Sequence, residues 1–146
     1  MIEIRNLREV RQDAGYDEVW AIVRYMKHPS PWMKQVPALS PSPELFAEYR
    51  RLLNAGQWNA GAFQDVYVPT FLRQLKHDRT ALALLDSLYQ ADLRDNKRIA
   101  LVCFCPHEDM CHRSIVAGLL QGVGCRVLTA SGADYSRYYG MFLAAA

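Results

Sequence analysis

The sequence predicts a single α/β domain over residues 1–146, with a small, mainly parallel sheet flanked by helices. Three observations carry that expectation. Arg98–Phe104 (RIALVCF) is an apolar run too short for a helix and too continuous for a half-exposed strand, the pattern of a central parallel strand. A helical stretch, Met110–Leu120, follows it, is stopped by Gly122-Val123-Gly124 and leads into a second strand, Cys125–Thr129. Together they make a β-α-β unit with parallel strands and a right-handed crossover. A length of 146 residues also suits one domain, and a chain of that size folds without needing a disulfide or a metal.

The remaining elements follow in order. Met1–Arg5 reads as a short strand, with Asn6–Asp13 open to a helical continuation. Val19–Tyr25 (VWAIVRY), rich in β-branched and aromatic residues, reads as a buried strand. Five of the seven prolines (Pro29, Pro31, Pro37, Pro41 and Pro43) fall in residues 28–44, so this segment is neither helix nor central strand. It is expected to be a long, semi-rigid loop carrying Trp32 and Met33, either walling a site or packing Trp32 on the core. Ser42-Pro43-Glu44 opens a helix, with a serine cap, proline at the first position and an acid in the first turn. Leu45, Tyr49, Leu52 and Leu53 line one of its faces, and Asn54-Ala55-Gly56 ends it. Phe63, Tyr67, Phe71 and Leu75 recur every four residues, a helix interrupted or restarted at Pro69. Thr80–Leu93 is the clearest helix, with Ala81, Leu84, Leu85, Leu88 and Tyr89 on one stripe. Ser131-Gly132 is a turn, and Tyr135–Leu143 a short aromatic helix that packs on the core or on a second subunit.

Composition narrows the function. Half the residues (51%) are hydrophobic and 22% charged, as in an ordered globular protein. The net charge of +2, with basic residues scattered, gives no electrostatic case for nucleic acid or a membrane surface. No signal sequence is visible, and no apolar run approaches the ~20 residues that span a bilayer. A cytoplasmic protein is expected. In that setting Cys103, Cys105, Cys111 and Cys125 point to thiol chemistry, metal binding or plain burial, not to a disulfide framework.

The chemistry-bearing residues concentrate where the Arg98–Phe104 strand ends. The strand period of two sets Leu101, Cys103 and Cys105 on one face. Ligands in open α/β sheets bind at such carboxyl edges. Asp109 is the expected cap of the next helix, whose first turn holds Cys111, His112 and Arg113. Free backbone N–H groups there favour anions and depress thiol pKa values, and Arg113 adds a planar donor fork suited to carboxylate or phosphate. Three readings stand. The first has Cys111 or Cys105 as nucleophile, His107 or His112 as general acid/base, and Arg113 on an anion. The second is a zinc site of Cys105, His107, Cys111 and His112, all acceptable ligands although crowded within eight residues. The third is structural, with Cys103 and Cys125 as small core residues and Cys111 in a row with Ile115 and Leu119. No tyrosine-phosphatase loop, dinucleotide fingerprint, Walker loop or His-Glu-x-x-His is present.

The stretch RIALVCFCPHEDMCHRSIVAGLL resembles the bacterial domain of unknown function 488, an apolar strand ending in cysteine followed by Cys-His-Arg opening a helix. More loosely, VWAIVRYMKHPSP, PELFAEYRRLL and TALALLDSLYQ match the family's upstream strand and helices, so the resemblance covers about residues 20–126. It implies a compact α/β fold. It also implies that the family's cysteine corresponds to Cys103 or Cys105, its Cys-His-Arg to Cys111, His112 and Arg113, and its upstream arginine to Arg24. Many members carry an acid two residues before that arginine, where this chain has Ile22. The combined expectation is an enzyme or ligand-binding domain for a small anionic molecule, nucleotide-like compounds among the candidates. In it Arg24 and Arg113 hold the anion, Cys111 or Cys105 acts through sulfur, and His107 or His112 moves protons. No cofactor is expected. The alternative is a non-catalytic zinc-binding interaction module on Cys105, His107, Cys111 and His112.

Overall fold

Ile99–Cys103 forms β4, buried at every position, and the other strands assemble around it. β1 (Ile2–Asn6), β2 (Glu18–Ala21), β3 (Met33–Gln35) and β5 (Val127–Leu128) complete a five-stranded sheet of order β3-β2-β4-β1-β5, parallel throughout. The computed structural model describes residues 1–146 as one α/β unit. Register places Asn6 beside Cys103 and Ala21 beside Val102, so the carboxyl ends of β1, β2 and β4 share one edge. β4 and β5 belong to the expected β-α-β unit, but β1 lies between them.

Two strands are shorter than their apolar runs. β2 stops at Ala21, because the Ile22 carbonyl leaves the ladder and accepts a bond from His112 Nε2. β4 stops at Cys103, and Phe104 is exposed. The proline segment is not wholly a loop. It contributes β3 at the sheet edge, where proline-rich chain is tolerated, and a 3-10 turn at Pro37–Leu39.

The helices are α1 (Pro43–Asn54), α2 (Ala60–Ala62), α3 (Val68–Lys76), α4 (Arg79–Leu93), α5 (His112–Gly122) and α6 (Arg137–Ala144). Ser42 caps α1 by accepting from the Leu45 N–H, as its sequence predicts. Leu53, expected on the buried face of α1, is instead exposed. Pro69 does not break the chain. A π turn at Phe63–Tyr67 joins α2 to α3, and Pro69 falls in the first turn of α3, where its missing N–H costs least. Asn6–Asp13 holds only a 3-10 turn, Leu7–Glu9, capped by Asn6. No helix is long and apolar enough to cross a membrane.

α5 is the central helix. Residues His112 to Leu120 are all buried, with β1, β4 and β5 on one side and α3, α4 and α6 on the other. The approach of α6 requires Gly118: a Cβ there would sit 2.9 Å from Tyr138 Cδ2 and closer still to the Tyr135 carbonyl oxygen. Away from α5, buried Glu3 of β1 accepts from Arg98 and from the Tyr16 hydroxyl, so its charge is paired.

Candidate functional site

The chain from Phe104 to Met110 connects β4 to α5 and holds a 3-10 turn at Glu108–Met110. Cys111, not Asp109, caps α5. The 3-10 turn occupies Asp109, so the extended cap residue is Cys111, whose Sγ accepts from the Arg113 N–H at 3.5 Å. The passage from an extended cap to the first helical residue turns two consecutive side chains to one side. Cys111 Sγ and His112 Nδ1 lie 3.6 Å apart.

Cys103 and Cys105 reach the same point from the strand, as their shared face implies. One donor atom from each of Cys103, Cys105, Cys111 and His112 lies within 4.8 Å of every other. The sulfurs of Cys103 and Cys111 lie 3.0 Å apart. Cys103, Cys111 and His112 are buried, and Cys105 is half-buried. Phe71 meets the His112 ring edge-on at 5.9 Å. The tautomer of His112 follows from its partner. The Ile22 carbonyl can only accept, so Nε2 carries the hydrogen in that 2.7 Å bond and Nδ1 presents a lone pair to the sulfurs.

Arg113 closes the cluster on its other side. Its Nη1 donates to Cys103 Sγ at 3.2 Å and to the Cys105 carbonyl at 2.9 Å, and lies 3.6 Å from Cys111 Sγ. Asn6 Nδ2 donates to that same carbonyl, tying the end of β1 to the site. The three sulfurs share negative charge unequally. The Cys103 thiol is held well below its ordinary range by hydrogen bonds from Cys105 and Cys111, against burial, with His112 and Arg113 adding to the effect. Cys105, as a donor to Cys103, is pushed up to about 12. Cys111 is also pushed up, by burial first and then by its sulfur neighbours.

Arg113 is only 4% exposed, no carboxylate pairs with it, and its Nε has no hydrogen-bond partner. It also lines a polar pocket of about 270 Å³ at the carboxyl ends of β1 and β4, together with Arg5, Asn6 and His107 and the acids Glu9, Glu108 and Asp109. Glu108 fixes the wall of this pocket, accepting from the Ala130 N–H at 2.9 Å and the Tyr135 hydroxyl at 2.7 Å.

The sequence-predicted residues therefore divide. Cys105, Cys111, His112 and Arg113 converge. His107 is exposed and lines the pocket, away from the sulfurs. Arg24 is exposed and donates to the carbonyls of Pro41 and Pro37, bracing the proline segment. Cys103, read from its residues as a core position and by resemblance as one of two counterparts of the family's cysteine, is a full member of the cluster, and its position two before Cys105 is the local signal for it. Arg5 and Asn6 had no local signal, because β1 meets the site only through the sheet.

A family description fits this picture. The family model DUF488-N3a, described as the active DUF488-N3 subclade, matches residues 3–124, from β1 to the end of α5. No curated protein and no solved structure matches the chain. The chain belongs to the DUF488-N3a family.

Proposed function

We propose that this protein binds a small anionic molecule in the polar pocket at the ends of β1 and β4 and acts on it through the cysteine–histidine cluster behind Arg113. One observation carries the reading: Arg113 is a buried cation with no carboxylate partner and an unpartnered Nε, and it borders an open pocket. The unpartnered Nε leaves part of the guanidinium free beside the pocket, and a planar donor fork suits phosphate or carboxylate. Arg5, Asn6 and His107 stand on the same walls, with Arg5 paired to Glu3 and Glu9 and the acids Glu9, Glu108 and Asp109 also lining the pocket. The location supports the reading too, since parallel sheets bind ligands at their carboxyl edge. The volume lies at the small end for ligand sites, which suits a molecule no larger than a mononucleotide. The family's description as an active subclade is in keeping with an enzyme.

The test is titration of the protein with inorganic phosphate and with nucleoside monophosphates, followed by the side-chain Nε–H signal of Arg113 in NMR. Saturable shifts of that signal and of Asn6 are expected. Arg113→Lys keeps the charge but loses the fork, and should weaken binding about 10-fold or more, the worth of a charged hydrogen bond. No shift with any of these anions would overturn the reading.

A further inference from the structure

We propose that Cys103, Cys105, Cys111 and His112 form a zinc site, with Arg113 as its charge-balancing neighbour. The four donor atoms are not those that line the anion pocket, and the two readings share only Arg113, which lies between cluster and pocket. A tetrahedral zinc ion with Zn–S of about 2.3 Å and Zn–N of about 2.0 Å sets its sulfurs roughly 3.8 Å apart. The four donors here all lie within 4.8 Å of one another, with 3.0 Å between Cys103 and Cys111 and 3.6 Å between Cys111 and His112. Ligands around a central ion thus need shifts of only about an ångström.

Sequence spacing argues against crowded ligands, and the fold removes that objection. Two ligands come from the end of β4 and two from the cap of α5, so they approach from separate elements. The residue between the strand ligands and the turn 106–110 provide the needed slack.

The surroundings are also those of a metal centre. A ligating histidine characteristically donates its second ring nitrogen to a carbonyl, and here Nε2 donates to Ile22 while Nδ1 faces the sulfurs. N–H groups of Arg113 already point at Cys111 Sγ and Cys103 Sγ. Charge balances as well. Zinc with three thiolates and an imidazole carries one net negative charge, and Arg113, buried without a carboxylate, carries one positive charge. Three soft thiolates with one imidazole select zinc over magnesium or calcium. Cys105, the half-buried member, faces the open side and gives the ion access.

The experiment uses the full chain without a histidine tag. Metal content by mass spectrometry should give one zinc per chain. Replacement of zinc by cobalt(II) should produce thiolate-to-metal charge-transfer absorption and the intense visible bands of a tetrahedral centre. Cys105→Ser should weaken metal affinity by more than ~100-fold, beyond the loss typical of outer-shell changes. His107→Ala and Cys125→Ser should leave metal affinity unchanged. Absence of the cobalt charge-transfer band in the reduced wild-type protein would overturn the proposal, and so would metal retention unaffected by Cys105→Ser. The wild-type spectrum decides alone if the variant does not fold. Phosphate titration reads the pocket and the cobalt spectrum reads the cluster, so failure of one proposal is distinguished from failure of the other.

Discussion

The close packing of α6 on α5 yields a prediction with two opposite signs. Gly118 lies in α5, where alanine would gain about 1 kcal/mol of helix propensity. Against that gain, a Cβ at this position falls 2.9 Å from Tyr138 Cδ2 and inside contact distance of the Tyr135 carbonyl oxygen. The obstacle is backbone, so the start of α6 must retreat by about an ångström, an overpacking cost of about 1–3 kcal/mol. The retreat also strains the 2.7 Å bond from the Tyr135 N–H to Gln121 Oε1, adding about 1 kcal/mol. Gly118→Ala should therefore destabilise the protein by about 1–3 kcal/mol net, a fall of roughly 4–8 °C in Tm near the middle of that range for a chain of this length. Gly140→Ala is the counterpart. It lies within α6, nothing approaches its Cβ position within 4 Å, and the substitution should stabilise by up to ~1 kcal/mol. Urea unfolding followed by circular dichroism measures both. A Gly118→Ala protein as stable as wild type would refute the packing argument.

Four further outcomes are expected. Ser42→Ala removes the acceptor for the Leu45 N–H and should cost about 1 kcal/mol in a thermal melt. Glu108→Ala leaves the Tyr135 hydroxyl without its acceptor, costing about 1 kcal/mol, while the exposed Ala130 N–H turns to water. Because burial first and Glu108 second hold the Tyr135 phenol well above its ordinary range, the same variant should bring its ultraviolet titration to lower pH. Burial, reinforced by the Asp92 charge, pushes the Cys125 thiol up to about 11. Between pH 9 and 11 the unfolded chain thus loses a proton that the fold keeps, so wild type should lose stability relative to Cys125→Ala as pH rises through that window, measured by urea midpoints at the two ends. His107→Ala, an exposed change, should leave Tm unaltered and weaken phosphate binding in the titration described above.

The strong local patterns in the sequence correspond closely to the fold. RIALVCF contains β4, the Ser42-Pro43-Glu44 start is the start of α1, and Arg79–Leu93 lies within one residue of the expected helix. The errors occur where a tertiary partner overrides local preference. The strand expected to run to Tyr25 ends at Ala21, because a histidine ninety residues away captures the next carbonyl. Asp109 loses the cap to Cys111 because a 3-10 turn absorbs it. At the site, Cys111, His112 and Arg113 were legible because one helical turn brings them together. The roles of Arg5 and Asn6 depend on which strands are neighbours, and pairing of β1 with β4 cannot be read from either strand alone.

The complete burial of α5 sets how the site can open. Amides in a helix shielded on every side exchange with solvent only when the whole domain unfolds, whereas exposed connections open at far lower free energy. Cys111, His112 and Arg113 are buried at the start of α5, while Phe104, Pro106 and His107 sit on an exposed connection. Hydrogen exchange should therefore split the site into a fixed half and a breathing half. Ligands and metal would enter by movement of the turn, with the helix as the stationary wall.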